Sequence, residues 1–309
     1  MSRNYPLLYL KGLAMGAADV VPGVSGGTIA FISGIYDELV ESLRSLGPDK
    51  LRWLGSGEFG EFWRRVNGAF LSVLVAGILT SVFTLAHLVD YSLQHYPLLV
   101  WAFFFGLVIA SIIYVGAQLP RGRLSTWIGL GIGTALASAS AFAPAVDLGN
   151  GPVTVFCSGM LAICAMILPG ISGSFILLMI GMYPVLIDAI TRVDAGVLSL
   201  FAAGAVVGLM VFSRLLSWLL HHHRSATLAI LTGFLVGSLA VLWPWRLPAS
   251  GPSGVVDQSL GASLMLPSRY GAQVGDPQVL ACVLLMAAGL VLVLGLEYLG
   301  SVLKHRIGN

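Results

Sequence analysis

Two short segments rich in proline, glycine and hydroxyl side chains interrupt long apolar runs of this chain. The first is Pro22-Gly23-Val24-Ser25-Gly26-Gly27-Thr28, and the second is Pro169-Gly170-Ile171-Ser172-Gly173-Ser174. A helix does not continue smoothly through such a segment, because proline lacks a backbone donor and clashes with the preceding turn, while glycine favours turns. Each segment therefore predicts a break in a helix.

The two breaks occupy equivalent positions in two copies of one unit. Pro169 lies 147 positions after Pro22. The Gly-x-Tyr that follows each break, Gly34-Ile35-Tyr36 and Gly181-Met182-Tyr183, keeps the same spacing. The two segments therefore align without a gap, which indicates an internal repeat.

The repeat continues beyond the breaks with a shorter spacing. Gly77 matches Gly204 and Gly106 matches Gly233, in each case 127 positions later. The spacing shortens because the first copy carries a longer polar loop, residues 45–65. The matches beyond the breaks indicate that the whole chain, and not only the motif, is duplicated.

The composition places almost all of this chain inside a lipid bilayer. Of its 309 residues, 57% are hydrophobic and 10% are charged, whereas soluble domains carry about 25% charged residues. The mean hydropathy is +0.91. A formal net charge of +2 is too small to indicate nucleic-acid binding. The three cysteines lie in apolar segments and predict neither a disulfide framework nor a metal site, and no cofactor is predicted. The expected fold class is an all-α polytopic membrane protein.

Each copy is predicted to consist of a broken re-entrant hairpin, with one helical arm on each side of the break, and three spans. Each arm of the first hairpin is about fifteen residues or roughly 22 Å long, which is short for a hydrocarbon core of ~30 Å. Irregular backbone at membrane depth must be covered by protein or face a water-filled cavity. The first repeat (1–150) is predicted to contain a hairpin at 7–43 and spans at 67–89, 97–117 and 125–143; the second repeat (151–309) is predicted to contain a hairpin at 153–190 and spans at 197–220, 226–245 and 277–304.

An odd number of crossings in each copy places the two copies in opposite orientations. This is an inverted-topology repeat, the architecture of many secondary transporters. With a cytoplasmic N-terminus, only Arg192, Arg246 and Arg269 of the sixteen Lys and Arg residues fall on the outer side. That distribution obeys the positive-inside rule. We therefore expect both termini in the cytoplasm.

The two breaks are also the predicted functional site. Each begins a new helix, whose first turn carries unpaired N–H groups and the positive end of the helix dipole, and both attract anions. In the inverted arrangement the two helix starts converge near the midplane. The simpler alternative is that each break only kinks a packed helix, but duplication at a fixed spacing favours a site. The expected phosphate or carboxylate contacts are Ser25, Gly26, Gly27, Thr28, Ser172, Gly173 and Ser174.

Three charged residues lie within apolar segments and are further candidates. Lys11 and Asp19 are eight residues apart and so lie roughly on one helix face. Charges at this depth are usually functional, which suggests Lys11 as an anion partner and Asp19 as a proton carrier or an organiser of the break. Lys11 could instead extend to the interface. Arg214, near the inner end of its span, could assist the anion, although extension to the interface is the simpler reading.

These motifs, from Lys11-Gly12 through the first break to Gly34-Ile35-Tyr36 and again at the second break, resemble one family. It is the bacterial membrane family that was long catalogued as a domain of unknown function and is now called polyprenyl-phosphate transporters. The resemblance covers nearly the whole chain. In the second copy Met166 stands opposite Asp19, and Ser174 and Phe175 stand opposite Gly27 and Thr28, so the two halves are not equivalent.

The resemblance implies transport of undecaprenyl phosphate, the C55 lipid carrier of cell-wall synthesis, from the outer to the inner leaflet of the bacterial cytoplasmic membrane. The phosphate would lie at the paired helix starts while the isoprenoid tail stays among membrane lipids. Rocking of the two halves would then expose the head group to each side in turn. The sequence leaves the coupling ion open, and it leaves the oligomeric state open with a homodimer among the options.

Two other classes of function compete with this one. A transporter of a small soluble anion would share the inverted fold, but it needs a path lined with polar groups, and these spans contain few. An intramembrane enzyme such as a lipid phosphatase would need a His-Glu-x-x-His motif, paired metal-binding carboxylates or a nucleophile with a nearby histidine, and none is recognisable in the sequence. We therefore predict a transporter and not an enzyme.

Overall fold

The computed structural model describes residues 4–20, 25–47, 59–120, 122–142, 148–246 and 264–307, and most of these are helical. Residues 21–24 of the first break and 48–58 of the polar loop lie outside the described residues. The first copy contains α1 (Tyr5–Val20), α2 (Gly26–Ile32), α3 (Tyr36–Arg44), α4 (Phe59–Arg65), α5 (Gly68–His95), α6 (Pro97–Gly116) and α7 (Leu124–Phe142). The second contains α8 (Pro152–Ile167), α9 (Gly173–Met179), α10 (Met182–Thr191), α11 (Ala195–His222), α12 (Arg224–Leu242), α13 (Pro267–Gln273) and α14 (Val279–Ile307).

The six predicted spans coincide with six long helices, namely α5, α6, α7, α11, α12 and α14. Four of them, α5, α6, α11 and α12, are long and apolar enough to cross a membrane. The pair α9 and α10 meets the same criterion when its two members are taken together, but they are bent by 110°. The prediction of an all-α polytopic membrane protein is confirmed.

Each hairpin contains one more bend than the sequence predicted. We expected a single helical arm after each break, and this was wrong. Gly34 and Gly181 adopt φ angles of 70° and 71°, a left-handed conformation that glycine accepts without steric cost. Helices α2 and α9 each end after seven residues, which is about 10 Å of rise and far too short to cross a bilayer. The Gly-x-Tyr therefore forms a second turn at the equivalent position of each copy.

In each copy, the turn that follows the short helix lies close to the first turns of the first helix. Leu8, near the start of α1, lines a small cavity together with Ile35, which directly precedes α3. At the equivalent positions of the second copy, Val155 of α8 and Met182 of α10 belong to one buried cluster. The Gly-x-Tyr turn of each copy therefore lies beside the first turns of α1 or α8.

The chain divides into two compact units, and each unit takes helices from both copies. One unit contains Met1–Val89 and Ala145–Thr227, and the other contains Asp90–Pro144 and Leu228–Asn309. The first unit holds both broken hairpins with most of the span that follows each, and the second holds the remaining spans. The boundaries fall inside α5 and α12. The candidate site described below belongs entirely to the first unit.

Equivalent glycines make equivalent helix contacts within the first unit. Gly12 of α1 leaves no room for a Cβ atom against the backbone of α5, and Gly159 of α8 leaves none against α11. Gly77 and Gly204 make the reverse contacts, against the backbones of α1 and α8. Helices approach this closely in membranes when small residues face each other. The same packing is thus built twice, at the spacings read from the sequence.

The second unit shows the same duplication with the partners exchanged. Gly106 of α6 lies against the backbone of Met286 in α14, and Gly233 of α12 lies against the backbone of Leu130 in α7. Helices α6 and α7 come from the first copy, whereas α12 and α14 come from the second. Each copy therefore supplies one helix to each of two like contacts.

Candidate functional site

The two breaks are in direct contact. The Ser25 hydroxyl donates to the backbone oxygens of Met166 at 3.0 Å and Leu168 at 3.3 Å. In return, the amide of Gly170 donates to the Thr28 hydroxyl oxygen at 2.9 Å. Ser25 and Thr28 are both buried. Because a helix break leaves backbone groups without intrahelical partners, the hydroxyls of the first motif satisfy part of the second break.

Two more residues fix this contact. The buried Tyr36 hydroxyl donates to the backbone oxygen of Ile167 at 3.1 Å. Gly27 lies so close to the second break that a Cβ atom would stand 2.7 Å from the Ile167 oxygen and 2.8 Å from the Met166 oxygen. The sequence marked Tyr36 only as part of the repeated Gly-x-Tyr and gave it no role. Its repetition was the available signal.

The start of α2 is closed by groups of the chain itself. The Asp19 carboxylate accepts the amide of Gly26 at 2.6 Å, and the Ser25 hydroxyl oxygen accepts the amide of Gly27 at 3.1 Å. The amide of Thr28 donates to the Ser25 carbonyl at 2.9 Å. All four residues of this predicted anion site are buried. Asp19 thus occupies the place where a bound anion would meet the helix start, a favourable position for a negative charge.

The start of α9 has the same geometry with different chemistry. A Cβ atom on Gly173 would lie 2.7 Å from the Met166 side chain, just as one on Gly26 would lie 2.5 Å from the Asp19 carboxylate. The thioether of Met166 therefore stands where the first copy has a carboxylate. The Ser172 and Ser174 hydroxyls are 2.9 Å apart, and Ser174 is exposed while Ser172 and Gly173 are buried. This helix start is open on one side and carries no negative charge.

Lys11 lies at the other end of α2. Its ammonium group donates to the carbonyl of Ser33, the residue that caps the C-terminal end of that helix. A cation is favourable there because the helix dipole is negative at this end. Lys11 also lines the small cavity next to Leu8, with Asn4 and Glu38. The structure therefore does not bring Lys11 to Ser25.

Arg214 lies on α11, near the end of α3. Its side chain is exposed on α11, about one turn before Ser217. The Ser217 hydroxyl donates to the Glu41 carboxylate at 2.8 Å, and the Arg44 guanidinium donates to the Ser217 oxygen at 3.2 Å. Arg214 thus belongs to the level at which α11 meets the end of α3.

The helices that follow the two Gly-x-Tyr turns are held unequally. Arg224 at the start of α12 pairs with Asp37 of α3 at 2.7 Å, in addition to the contacts of Glu41. In the second copy Asp188 takes the place of Glu41, and it pairs at 2.8 Å with Arg192, the residue that directly follows α10. Helix α3 is therefore held to α11 and α12 by charged and polar groups, whereas Asp188 of α10 pairs with a residue only four positions later in the chain.

Comparison with known proteins places this arrangement in a family. Residues 15–253 match a family model described as undecaprenyl phosphate translocase-like. The chain belongs to this undecaprenyl phosphate translocase-like family. A curated relative from Vibrio cholerae, named polyprenyl-phosphate transporter, is 46% identical over 299 residues, which cover 95% of this chain and 96% of the relative. A protein of the same name from Staphylococcus aureus is 33% identical over 255 residues, covering 76% of this chain and 85% of the relative. No solved structure matches.

The family resemblance drawn from the motifs is thus confirmed, and the translocase-like family and both relatives are named for transport. The matched residues 15–253 include both breaks and the Gly-x-Tyr turns. Within the ranges that the structure describes, no three His, Cys, Asp or Glu side chains are grouped as metal ligands. The roles of individual residues in the family site stay predictions.

Proposed function

We propose that this protein carries a polyprenyl phosphate, undecaprenyl phosphate in particular, from the outer to the inner leaflet of the bacterial cytoplasmic membrane. The names of the two relatives support the substrate. The observation that carries the mechanism is the contact between the two helix breaks, which present Asp19 at one helix start and Met166 at the other. Irregular backbone within a membrane is unfavourable unless protein or a water-filled cavity covers it. Binding of a head group would explain why the chain contains two such breaks.

Of the two helix starts, that of α9 holds the phosphate before that of α2. There the hydroxyls of Ser172 and Ser174 and the backbone of Gly173 can donate to phosphate oxygens, and no carboxylate repels the charge. The start of α2 takes part when the Asp19 carboxylate releases the amide of Gly26, which is then free to donate to the phosphate. Asp19 is then a built-in competitor of the substrate, and its release is the step at which an ion could couple to transport.

The unequal fastening of α3 and α10 supports alternating access. In the proposed inverted topology α3 ends on the cytoplasmic side and α10 on the outer side. The pair Asp37 and Arg224 holds the inner side closed while the start of α9, with exposed Ser174, opens outward. The glycines at Gly34 and Gly181 are the turns about which α3 and α10 move. Such hinge and rocking motions are typical of transporters built from inverted repeats.

Lys11 and Arg214 support the site from a distance in this mechanism. Lys11 ties the end of α2 to α1 and so fixes the axis of the short helix. Arg214 lies near the contact between α11 and the end of α3, where it can respond to movement of α3. Neither residue needs to touch the phosphate in the conformation described above.

Reconstitution into proteoliposomes tests the proposal. Undecaprenyl phosphate labelled in one leaflet should become accessible in the other at a rate that depends on the protein, while uptake of inorganic phosphate or other soluble anions should stay at the level of empty liposomes. Asp19→Asn should slow this exchange. Exchange no faster than in protein-free liposomes would refute the function, and preferential uptake of a soluble anion would favour the competing class of transporter.

A further inference from the structure

The second unit holds an arginine in an aromatic setting that the proposed mechanism does not use. The guanidinium carbon of Arg246, four residues after the end of α12, lies 5.0 Å from the ring centroid of Trp101 in α6. Close by, the Trp243 ring packs against Trp245 at 5.3 Å and against Phe105 at 5.5 Å between centroids. Trp101 and Trp245 are buried. The guanidinium is therefore fixed on a wall of aromatic rings.

Two tryptophans of this wall, Trp243 and Trp245, use their indole N–H groups within the chain. The indole N–H of Trp243 donates to the Met265 carbonyl at 2.9 Å, and that of Trp245 donates to the Pro277 carbonyl at 2.8 Å. These bonds tie the end of α12 to the segment before α14 and hold the rings in place. The guanidinium of Arg246, with its five N–H donors, is the charged group on this wall that can donate to a ligand.

Arg246 lacks a counter-charge among the residues that the structure describes. Its side chain is half-buried, and none of the ion pairs or side-chain hydrogen bonds found in the described ranges involves it. Burial lowers the pKa of the Arg246 guanidinium to about 10, so the group remains protonated at neutral pH. A desolvated cation without a partner is unfavourable, and an aromatic face compensates only in part. The setting therefore calls for an anion.

The position of the cluster indicates which anion. The wall of aromatic rings forms where α6 begins and α12 ends, and in the proposed topology both of these helix ends face outward. Tryptophan side chains gather at this depth, level with lipid head groups. A planar guanidinium binds phosphate through two parallel hydrogen bonds. We propose that Arg246, held on Trp101, is a second phosphate site that receives the phosphomonoester head group of the lipid substrate from the outer leaflet. This inference rests on the proposed function and places the first recognition step in the second unit.

Binding measurements on the full chain test the proposal. The protein in nanodiscs of phosphatidylcholine is titrated with undecaprenyl phosphate, and tryptophan emission is followed together with an independent affinity measurement. Arg246→Gln should weaken binding at least tenfold, and Arg246→Lys, which keeps the charge but loses the planar fork, should weaken it less. Arg269→Gln is the matched control, because Arg269 is an exposed arginine of α13 on the same predicted side. Equal affinities for the wild-type and a folded Arg246→Gln chain would overturn the proposal.

Two further comparisons separate the possible outcomes. If Arg246→Gln does not fold, Arg246→Lys decides the matter, since unchanged affinity and unchanged emission in that variant contradict a bidentate guanidinium site. Competition by inorganic phosphate or by phosphatidylglycerol as strong as that by undecaprenyl phosphate would refute the assignment to a lipid phosphomonoester. Failure of the proposed function looks different, because transport would then be absent in the wild-type chain as well. Normal transport by the wild-type chain, with no effect of Arg246→Gln on lipid-phosphate affinity, would contradict the Arg246 site and leave the proposed function intact.

Discussion

Asp19 and Gly26 are joined by a hydrogen bond of 2.6 Å from the Gly26 amide to the carboxylate, and the equivalent pair in the second copy, Met166 and Gly173, is in contact without one. The two halves therefore share a backbone arrangement and differ in charge at its centre. One helix start holds its own anion and the other does not. This difference gives each half a separate role in the proposed cycle.

Met166→Asp should inhibit transport by placing a carboxylate at the open helix start. At about 4 Å and an effective dielectric constant near 20, two unit charges of the same sign repel by about 4 kcal/mol, so even partial screening should weaken lipid-phosphate binding tenfold or more. Titration of the reconstituted variant with undecaprenyl phosphate measures the effect. Met166→Leu, which keeps the volume and polarity, should bind normally. Equal affinities for the Asp and Leu variants would show that the phosphate does not reach α9.

Asp19→Asn should slow transport while leaving the fold intact. The asparagine oxygen can still accept the Gly26 amide, so the change in the free energy of unfolding should stay within about 1 kcal/mol. Because the variant loses the charge that competes with the phosphate, we expect tighter lipid-phosphate binding together with a slower leaflet exchange. Affinity and exchange rate must be measured on the same preparation. Tighter binding with faster exchange would contradict the role of Asp19 in releasing the substrate.

Ser25 and Ser174 are expected to fail in different ways. Ser25→Ala removes a cap and leaves carbonyls of Met166 and Leu168 without a donor, so stability should fall by about 1 to 2 kcal/mol and transport should fall with it. Ser174→Ala removes an exposed hydroxyl that contacts Ser172, so thermal stability should hardly change while lipid-phosphate affinity drops. Thermal unfolding in detergent, read beside transport, separates the two. A loss of stability in Ser174→Ala, with a loss of affinity alone in Ser25→Ala, would contradict the structural role of Ser25 and the binding role of Ser174.

Much of the architecture could be read from sequence because its signals are local and repeated. Prolines and glycines within apolar runs mark the breaks, and the matched glycines Gly77 and Gly204 lie at the like contacts of α5 with α1 and of α11 with α8. The additional bends at Gly34 and Gly181 were missed. A single glycine in an apolar helix is usually tolerated, and its positive φ becomes visible only in the structure.

The details of the site depend on contacts between distant parts of the chain. Nothing near Ser25 in sequence indicates that its hydroxyl would serve Met166, 141 positions away. Lys11 and Asp19 share a helix face, yet the lysine binds the far end of α2 and the aspartate binds its start. Periodicity can place two side chains on one face, but it cannot say what the opposite helix offers them.

Alanine at Gly12 or at Gly159 should destabilise the protein to a similar extent. At both positions a Cβ atom would collide with the backbone of the neighbouring helix, and overpacking of this kind costs typically 1 to 3 kcal/mol. Gly131 in α7 has open space around it, so Gly131→Ala should be neutral or stabilise by up to about 1 kcal/mol. Thermal unfolding of the three variants provides the test. A large loss for one of the two equivalent glycines and none for the other would argue against duplicated packing.

Cysteine labelling should reveal which helix start is open and to which side. In a background where Cys157, Cys164 and Cys282 are replaced by alanine, Ser174→Cys should react with a membrane-impermeant maleimide added outside cells, because Ser174 is exposed next to the open start. Thr28→Cys should not react, since Thr28 is buried and only 1% exposed.

Asp37→Asn, which removes the partner of Arg224, should lower labelling at position 174 by shifting the population toward the inward-open state. The pair is exposed and worth at most about 1 kcal/mol, so the shift should be partial, up to about fivefold. Labelling of Ser174→Cys only from the cytoplasmic side would contradict the proposed orientation in the membrane. Labelling that Asp37→Asn leaves unchanged would contradict the proposal that α3 closes the inner side.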